Sequence, residues 1–223
     1  MRVTIVGATG GIGKLALEQA VAAGHEVTAV VRNPAKLAAS NVRVVTTDLA
    51  KPDPGALAAA FTQADAVLSG LGATSSAEVG VAERGTRAIV DAMDAVGARR
   101  LLVVSAAPIG TVPSPARPHP PTYDPGDDFL TRHLLAPIIK AILRRHYADL
   151  ARMEDVVAAS TLDWTIVRPP RLTNGALTTK IRAAYGQNVR GGLSIARADV
   201  AHFMLTAMVQ ADSVRKIVAV ASG

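Results

Sequence analysis

Short runs of branched aliphatic residues alternate with Ala-rich stretches through the first half of the chain, and this alternation constrains the fold more than any other feature. The predicted strands cover 2–6, 26–31, 42–46, 65–69 and 101–105, and the predicted helices cover 12–23, 35–39, 54–63 and 80–97. Strands that alternate with helices are typical of βαβ units and a parallel sheet. We therefore expect an α/β fold of the Rossmann type, a doubly wound, mostly parallel sheet with helices on both faces and ligands beyond the carboxyl ends of its strands.

The second half departs from this alternation at a Pro-rich segment. Seven of the 13 prolines lie within 108–125, which excludes a helix or a central strand there. We interpret 108–127 as a long loop, and a loop of this length in a compact domain is usually a functional lid or disordered. The remaining predicted elements are a helical stretch at 128–159 interrupted near Pro137, a strand at 163–168, a helix at about 198–210 and a strand at 215–221. With 223 residues the chain fits one domain, 1–223, whose C-terminal part, 128–223, completes a substrate pocket.

Composition excludes several kinds of site. The chain has no Cys, which excludes thiolate metal sites, and its five histidines show no ligand spacing, so we expect no metal. The net charge is +6, but the basic residues are scattered and aromatic residues make up only 3%, so a platform for stacking nucleic-acid bases is not expected. Apolar runs are too short for a signal peptide or a membrane span, and we predict a cytoplasmic protein with neither membrane nor nucleic-acid partners.

The turn after the first strand carries the sequence GATGGIG, residues 7–13. Its G-x-x-G-x-x-G spacing lies between a predicted strand and a predicted helix. Glycines in such a turn allow a tight bend, a close approach of a pyrophosphate to the backbone and close packing of the helix on the strand. The N–H groups at the helix start then favour phosphate. We predict dinucleotide binding here, with an ordinary glycine-rich turn as the alternative.

The end of the second strand predicts which dinucleotide binds. An NAD site places an acidic residue there for the ribose 2′-hydroxyl, whereas here Val31 is followed by Arg32. Because a guanidinium matches a phosphate with two parallel hydrogen bonds, Arg32 predicts a 2′-phosphate and hence NADP(H); the alternative is a solvated charge. Asp48 and Leu49 follow the third strand, where the carboxylate can meet the adenine amino group and the apolar side chain can cover the ring. An acid in a helix N-terminal turn is the alternative for Asp48.

An ordered set of motifs resembles the NAD(P)-binding atypical short-chain dehydrogenases/reductases, in particular the subgroup of flavin/biliverdin reductases and NmrA-like proteins. The motifs are GATGGIGK (7–14), GHEVT (24–28), VRNP (31–34), DL (48–49), VVSA (103–106) and WTIVRPP (164–170). The resemblance implies contacts to the cofactor along the chain. The 2′-phosphate would bind at Arg32, adenine would lie between Asp48 and Leu49, and the ribose would contact Leu71 and Gly72. The nicotinamide would be lined by Ser105, Ala106, Pro169 and Pro170. The pyrophosphate would lie on the glycine motif, at Gly7, Thr9, Gly10, Gly11, Ile12 and Gly13.

The catalytic pair of the familiar short-chain dehydrogenases is incomplete in this sequence. Those enzymes use a Tyr whose pKa is lowered by a Lys four residues later, whereas Tyr147 is followed by Ala151. Tyr147 as a proton donor is therefore one hypothesis, and a tyrosine packed in the core is its alternative. Ser105 is the second catalytic candidate, for a hydrogen bond to a substrate carbonyl or to the nicotinamide amide. The carboxylates Asp149 and Glu154, on an Arg-rich helix, are expected to form surface ion pairs.

Eight large apolar residues within 129–143 are more than one core-facing stripe needs. We expect a pocket wall or lid for a small apolar or aromatic substrate; an oligomer contact is the alternative, and both monomer and homodimer stay open. The preferred function is an NADPH-dependent reductase of a small carbonyl, quinone or flavin-like acceptor. The alternatives are a non-catalytic NADP(H) sensor that signals to a protein partner, and a non-redox isomerase or epimerase.

Overall fold

A computed structural model describes residues 1–37, 41–72 and 79–223. The strands are β1 (Arg2–Val6), β2 (Glu26–Val31), β3 (Arg43–Thr46), β4 (Ala66–Ser69), β5 (Arg100–Val104), β6 (Asp163–Arg168), β7 (Arg171–Thr173), β8 (Ile181–Tyr185), β9 (Ser194–Ala196) and β10 (Lys216–Ser222). Eight of them form one sheet in the order β3-β2-β1-β4-β5-β6-β10-β8, and β7 pairs with β9 in a second, small sheet. Every neighbouring pair of the large sheet is parallel except β10 with β8. The predicted doubly wound, mostly parallel sheet is therefore confirmed.

Helices cover both faces of the large sheet. They are α1 (Gly11–Ala22), α2 (Pro54–Phe61), α3 (Val81–Val96), α4 (Ala136–Ile142), α5 (Arg144–Ala159) and α6 (Arg197–Ala207). On one face α2, α3 and α5 bury a core that includes Phe61, Ile89 and Met153. On the other face α1 and α6 bury Leu17 and Met204 against the strands. Because both faces are covered, the carboxyl ends of β1, β2, β5 and β6 form the edge where a ligand can enter.

The helical stretch after the Pro-rich loop is interrupted next to Pro137, as predicted, and a second time at Leu143. A π-helical turn covers Thr131–Leu135, regular helix begins at Ala136, and a second break at Leu143 separates α4 from α5. Pro137 lies just after this turn and has no N–H to donate, so a carbonyl oxygen one turn back lacks the hydrogen bond that another residue would supply. The backbone at Leu135 is helical, with φ of −71° and ψ of −50°, so the π-helical turn is an irregularity within one helical stretch that ends at Leu143.

Asp149 is buried, so the predicted surface ion pair at this residue is wrong. Its carboxylate accepts hydrogen bonds from the backbone N–H groups of Gly80 at 2.7 Å, Ala82 at 3.2 Å and Glu83 at 3.1 Å. These groups form the N-terminus of α3, where N–H donors lack intrahelical partners and a negative charge is stabilised. A side chain of α5 thus caps α3 and joins the two helices.

No helix within 1–37, 41–72 and 79–223 is long and apolar enough to cross a bilayer. The same ranges contain no group of three or more His, Asp or Glu side chains arranged to hold a metal ion. A cytoplasmic location stays a prediction.

Candidate cofactor and substrate site

The turn between β1 and α1 brings backbone atoms closer together than side chains would allow. A Cβ on Gly13 would lie 2.2 Å from the carbonyl oxygen of Gly7, and Gly7 itself has a φ of +73°. From the neighbouring strand, Gly70 approaches so closely that its Cβ would lie 3.2 Å from the Gly13 nitrogen. The glycines therefore let α1 begin directly against the ends of β1 and β4.

The N-terminus of α1 presents backbone N–H groups without a side-chain cap. Gly10 is the N-cap residue, no side chain accepts a hydrogen bond from this end, and the first turn carries no acidic residue. The first N–H groups of a helix have no intrahelical acceptor and carry a partial positive charge. Ile12 is buried in the α1–α6 core, so it can offer only its backbone, while Thr9 and Gly11 lie nearer to the surface. This cradle fits a pyrophosphate in charge and shape.

Residues predicted to hold the adenosine half lie at the neighbouring strand ends. Arg32 is exposed and follows β2, the strand next to β1. Asp48 is exposed, and its Oδ1 accepts the Ala50 N–H at 3.0 Å in a local turn. The acid that begins α2 is instead Asp53, which accepts the N–H groups of residues 55 and 56.

The predicted apolar contacts to adenine and ribose have a structural role as well. Leu49 and Leu71 both pack at Gly85 of α3: a Cβ there would lie 2.5 Å from Leu71 Cδ2 and 3.2 Å from Leu49 Cβ. Leu49 is only 8% exposed, so its side chain belongs mainly to the core. Gly72 is partly exposed, and no atom of the described residues lies within 4 Å of the position that its Cβ would take.

The predicted nicotinamide residues lie together beyond β5 and β6. The Ser105 N–H donates to the Val167 carbonyl at 2.8 Å, and the Ala107 N–H donates to the Pro169 carbonyl at 2.9 Å. These bonds continue the β5–β6 pairing past the strand ends and hold Ala106 beside Pro169. The structure thus brings Ser105, Ala106, Pro169 and Pro170 together at the wall of one cavity.

Ser105 belongs to a buried network with Glu154 and Arg168. The Ser105 hydroxyl donates to Glu154 Oε1 at 2.6 Å, and Arg168 donates to the same carboxylate through Nε at 2.8 Å and Nη2 at 2.5 Å. All three residues are buried. The predicted surface ion pair at Glu154 is therefore wrong, because α5 turns this residue toward the sheet.

This network restricts what the Ser105 hydroxyl can do. A serine hydroxyl has one hydrogen to donate and two lone pairs that accept. Because Glu154 pairs with a guanidinium, it is a carboxylate that accepts the Ser105 hydrogen. The Ser105 oxygen therefore has only acceptor capacity left for a ligand, which suits an amide NH₂ and does not suit a carbonyl oxygen.

The cavity at this edge has a volume of about 520 Å³. Its walls come from the β5 and β6 ends, the Pro-rich loop, α4, α5, β10 and the segment before β9. Apolar contributions include Leu135, Ile139, Leu143, Leu150, Leu172, Leu193 and Val220. The outer side of the same 129–143 segment is exposed at Phe129 and Ile142. The segment thus forms a cavity wall on one side and an apolar surface on the other.

Tyr147 and His146 bring titratable groups to this cavity. Burial raises the pKa of Tyr147, opposite to the lowering that a neighbouring lysine produces. Burial also lowers the pKa of His146, and the Asp149 carboxylate partly opposes that shift. Lys140, on α4, donates instead to Thr111 at 3.2 Å. Near neutral pH the Tyr147 phenol is therefore protonated and the His146 imidazole is neutral.

Sequence reasoning assigned no site role to Glu154, Arg168 or His146. One signal was present: Tyr147, Leu150 and Glu154 are spaced three and four residues apart, which places them on one helix face. Arg168 ends β6 directly after the apolar residues Ile166 and Val167, and a buried charge there requires a partner.

Comparisons with known proteins agree with this geometry. A family model described as NAD(P)H-binding matches residues 7–211. The uncharacterized protein YwnB of Bacillus subtilis (strain 168) is 35% identical over 107 residues, so the match spans 48% of this chain and about half, 48%, of that relative.

Solved structures share the fold over essentially the whole chain. The anaerobillin reductase ChuY of Escherichia coli O157:H7 is 22% identical with a TM-score of 0.75, covering 100% of this chain and 97% of that one. A short-chain dehydrogenase/reductase of Veillonella parvula DSM 2008, solved in complex with NADP, is 19% identical with a TM-score of 0.75, covering 99% and 94%. The family match, the sheet order and the glycine turn lead to one assignment: this chain belongs to the NAD(P)H-binding family and has the fold of the atypical short-chain dehydrogenases/reductases.

Proposed function

We propose that the protein is an NADPH-dependent oxidoreductase that reduces a small apolar or aromatic acceptor, such as a carbonyl, quinone or flavin-like compound. One observation carries the proposal: the apolar cavity adjoins the glycine turn. Arg197 lines the cavity and also contacts the position of Gly11, at the start of α1. A dinucleotide held by the turn therefore has its reactive end at the cavity, beside Ser105 and Pro169. When bound, the reduced nicotinamide supplies the hydride.

The preference for NADPH rests on Arg32. This residue follows β2 on the same edge as the glycine turn, at the position where an NAD site carries an acid. A guanidinium there favours a 2′-phosphate. The NADP complex of the Veillonella parvula structure supports the same cofactor for this fold.

The remaining residues orient the cofactor and shape the acceptor site. Ser105, held as an acceptor by Glu154, receives the carboxamide N–H of the nicotinamide. The apolar wall formed by α4 and Leu172 favours a small acceptor with few polar groups. ChuY, by its name a reductase, supports reduction as the reaction class.

The second candidate is an NADP(H) sensor without turnover. The raised pKa of Tyr147 and the alanine at position 151 favour it, because no tuned proton donor of the familiar type is present in the part of the chain that is described. The exposed side chains of Phe129 (80%) and Ile142 (75%) also provide an apolar surface for a protein partner.

Titration calorimetry with NADPH and NADH tests the cofactor proposal. The wild type should bind NADPH more tightly, and Arg32→Ala should bring the two affinities together, since one charge-assisted contact is worth about tenfold or more. The control is Arg43→Gln, which removes a positive charge at the amino end of β3, on the side of the sheet away from the glycine turn. A preference that persists in Arg32→Ala would contradict the assignment. Loss of reduced-nicotinamide absorbance across a panel of quinones, flavins and aldehydes then separates a reductase from a sensor.

A further inference from the structure

Arg197 lies between the glycine turn and the cavity, and neither the motifs nor the resemblance give it a role. It is the first residue of α6 and is half-buried. Its Cδ and Nε both lie 2.9 Å from the position that a Cβ on Gly11 would take. The absence of a side chain at Gly11 therefore leaves room for this arginine to lie over the first turn of α1.

The surroundings of this guanidinium are positively charged. Arg197 occupies the first turn of α6 and contacts the first residue of α1, and a cation at a helix N-terminus is disfavoured by the helix dipole. The acid in the same turn, Asp199, accepts hydrogen bonds from Thr178 and Thr179. The local fold thus places a cation at two helix N-termini.

The partner of Arg197 does not balance its charge. Its Nη1 donates to the neutral amide oxygen of Asn174 at 2.6 Å. Among residues 1–37, 41–72 and 79–223, none of the salt bridges includes Arg197. An anion at the start of α1 would supply the missing negative charge.

We propose that Arg197 binds the pyrophosphate of the dinucleotide, so that α6 and the backbone of α1 hold the same group. The proposal rests on the NADP(H) site proposed above. A guanidinium forms two parallel hydrogen bonds to a phosphate, and Arg197 gives up only its bond to Asn174 to do so. Since NADPH and NADH share the pyrophosphate, Arg197 contributes affinity for both and selects neither, whereas Arg32 selects between them.

The test compares three probes on Arg197→Gln: NADPH, NADH and 2′-AMP, which has the 2′-phosphate but lacks the pyrophosphate. Calorimetry should show both dinucleotides weakened by a similar factor, about tenfold or more, and 2′-AMP unchanged. Arg32→Ala should show the complementary pattern, with 2′-AMP and NADPH weakened and NADH little changed. Arg43→Gln serves as the control for loss of one positive charge.

A second variant does not depend on Arg197→Gln folding well. Asn174→Asp, at an exposed position, places a carboxylate beside the guanidinium and opposes the phosphate charge, so both dinucleotides should weaken while 2′-AMP does not. Unchanged dinucleotide affinities in either folded variant, or an equal loss for 2′-AMP, overturn the role of Arg197. If wild type binds neither dinucleotide, the cofactor proposal fails and this role falls with it; if wild type binds and the variants bind equally, only this role fails.

Discussion

Replacing Glu154 with alanine tests whether the network below Ser105 is a buried ion pair. The side chains of Arg168 and Glu154 are only 5% and 4% exposed, and the carboxylate accepts three hydrogen bonds. Removing one partner of a buried pair costs about 3–5 kcal/mol, because the remaining charge stays buried without compensation. Since a domain is typically stable by about 5–15 kcal/mol, Glu154→Ala should lose a large share of the free energy of unfolding.

Urea unfolding followed by circular dichroism measures this loss by linear extrapolation. The matched control is Arg152→Ala, which breaks a pair of similar length, 2.6 Å to Glu83, whose side chains are 36% and 27% exposed. Solvent screens that pair, so the control should lose no more than about 1 kcal/mol. Because the two pairs have similar N–O distances, the difference between the two losses in unfolding free energy measures the effect of burial.

A double-mutant cycle separates the pair from the packing of its side chains. Glu154→Leu leaves the Arg168 guanidinium and the Ser105 hydroxyl without their acceptor, and Arg168→Met leaves the buried carboxylate without its counter-charge. The double variant leaves no buried charge and only the neutral Ser105 hydroxyl without its acceptor. We expect the double variant to lose clearly less than the sum of the single losses. Additive losses, or a loss in Glu154→Ala below about 1 kcal/mol, would refute the reasoning.

Two further predictions concern the glycine turn and the cavity. Gly13→Ala should lose about 1–3 kcal/mol or more in urea unfolding, because its Cβ would meet the Gly7 carbonyl oxygen at 2.2 Å. Gly72→Ala should stay within about 0.5 kcal/mol, because its Cβ would meet no atom of residues 1–37, 41–72 and 79–223 within 4 Å. Equal losses in the two variants would contradict the packing argument. Burial lowers the pKa of His146 below its usual 6.5, so between these two pKa values the unfolded chain binds a proton at His146 and the folded chain does not. The free energy of unfolding should therefore decrease as the pH falls below 6.5 toward the folded pKa of His146. In His146→Leu the free energy of unfolding, measured by urea unfolding at several pH values, should decrease less steeply below pH 6.5. An unchanged decrease would show that other groups cause it.

The central sheet could be predicted because most of its strands are marked by a contiguous run of residues in the sequence. The strands β1 to β6 are apolar runs, and the structure places most of their ends within one residue of the predicted ones. The strands β7, β8 and β9 were not predicted, since they are short and partly exposed and pair with strands distant in the sequence. Only the folded chain brings Ser222 beside Ile181 and so makes β8 an edge strand.

The candidate site divides in the same way. The placement of the glycine turn between β1 and α1, and of Arg32 directly after β2, could be predicted because each depends only on neighbouring residues in the sequence. The surroundings of Glu154 and Arg197 could not be predicted, because they depend on other elements: Glu154 accepts hydrogen bonds from Ser105 and Arg168, and Arg197 lies over Gly11. A charged residue on a helix is ordinarily solvated, and only its burial shows otherwise.

Ser105 and Tyr147 also bear on which kind of acceptor the proposed reductase would reduce. Reducing a simple carbonyl forms an alkoxide that needs a donor at its oxygen, and Ser105 already donates its hydrogen to Glu154. Burial raises the pKa of Tyr147, which makes its phenol a weaker acid than the lysine-assisted tyrosine of the familiar enzymes. A quinone or flavin-like acceptor spreads the charge left by hydride transfer over a conjugated system, so it depends less on a strong donor. Within the reductase function that we propose, the weak proton donation by Ser105 and Tyr147 and the apolar cavity wall are our grounds for preferring conjugated acceptors over simple carbonyls.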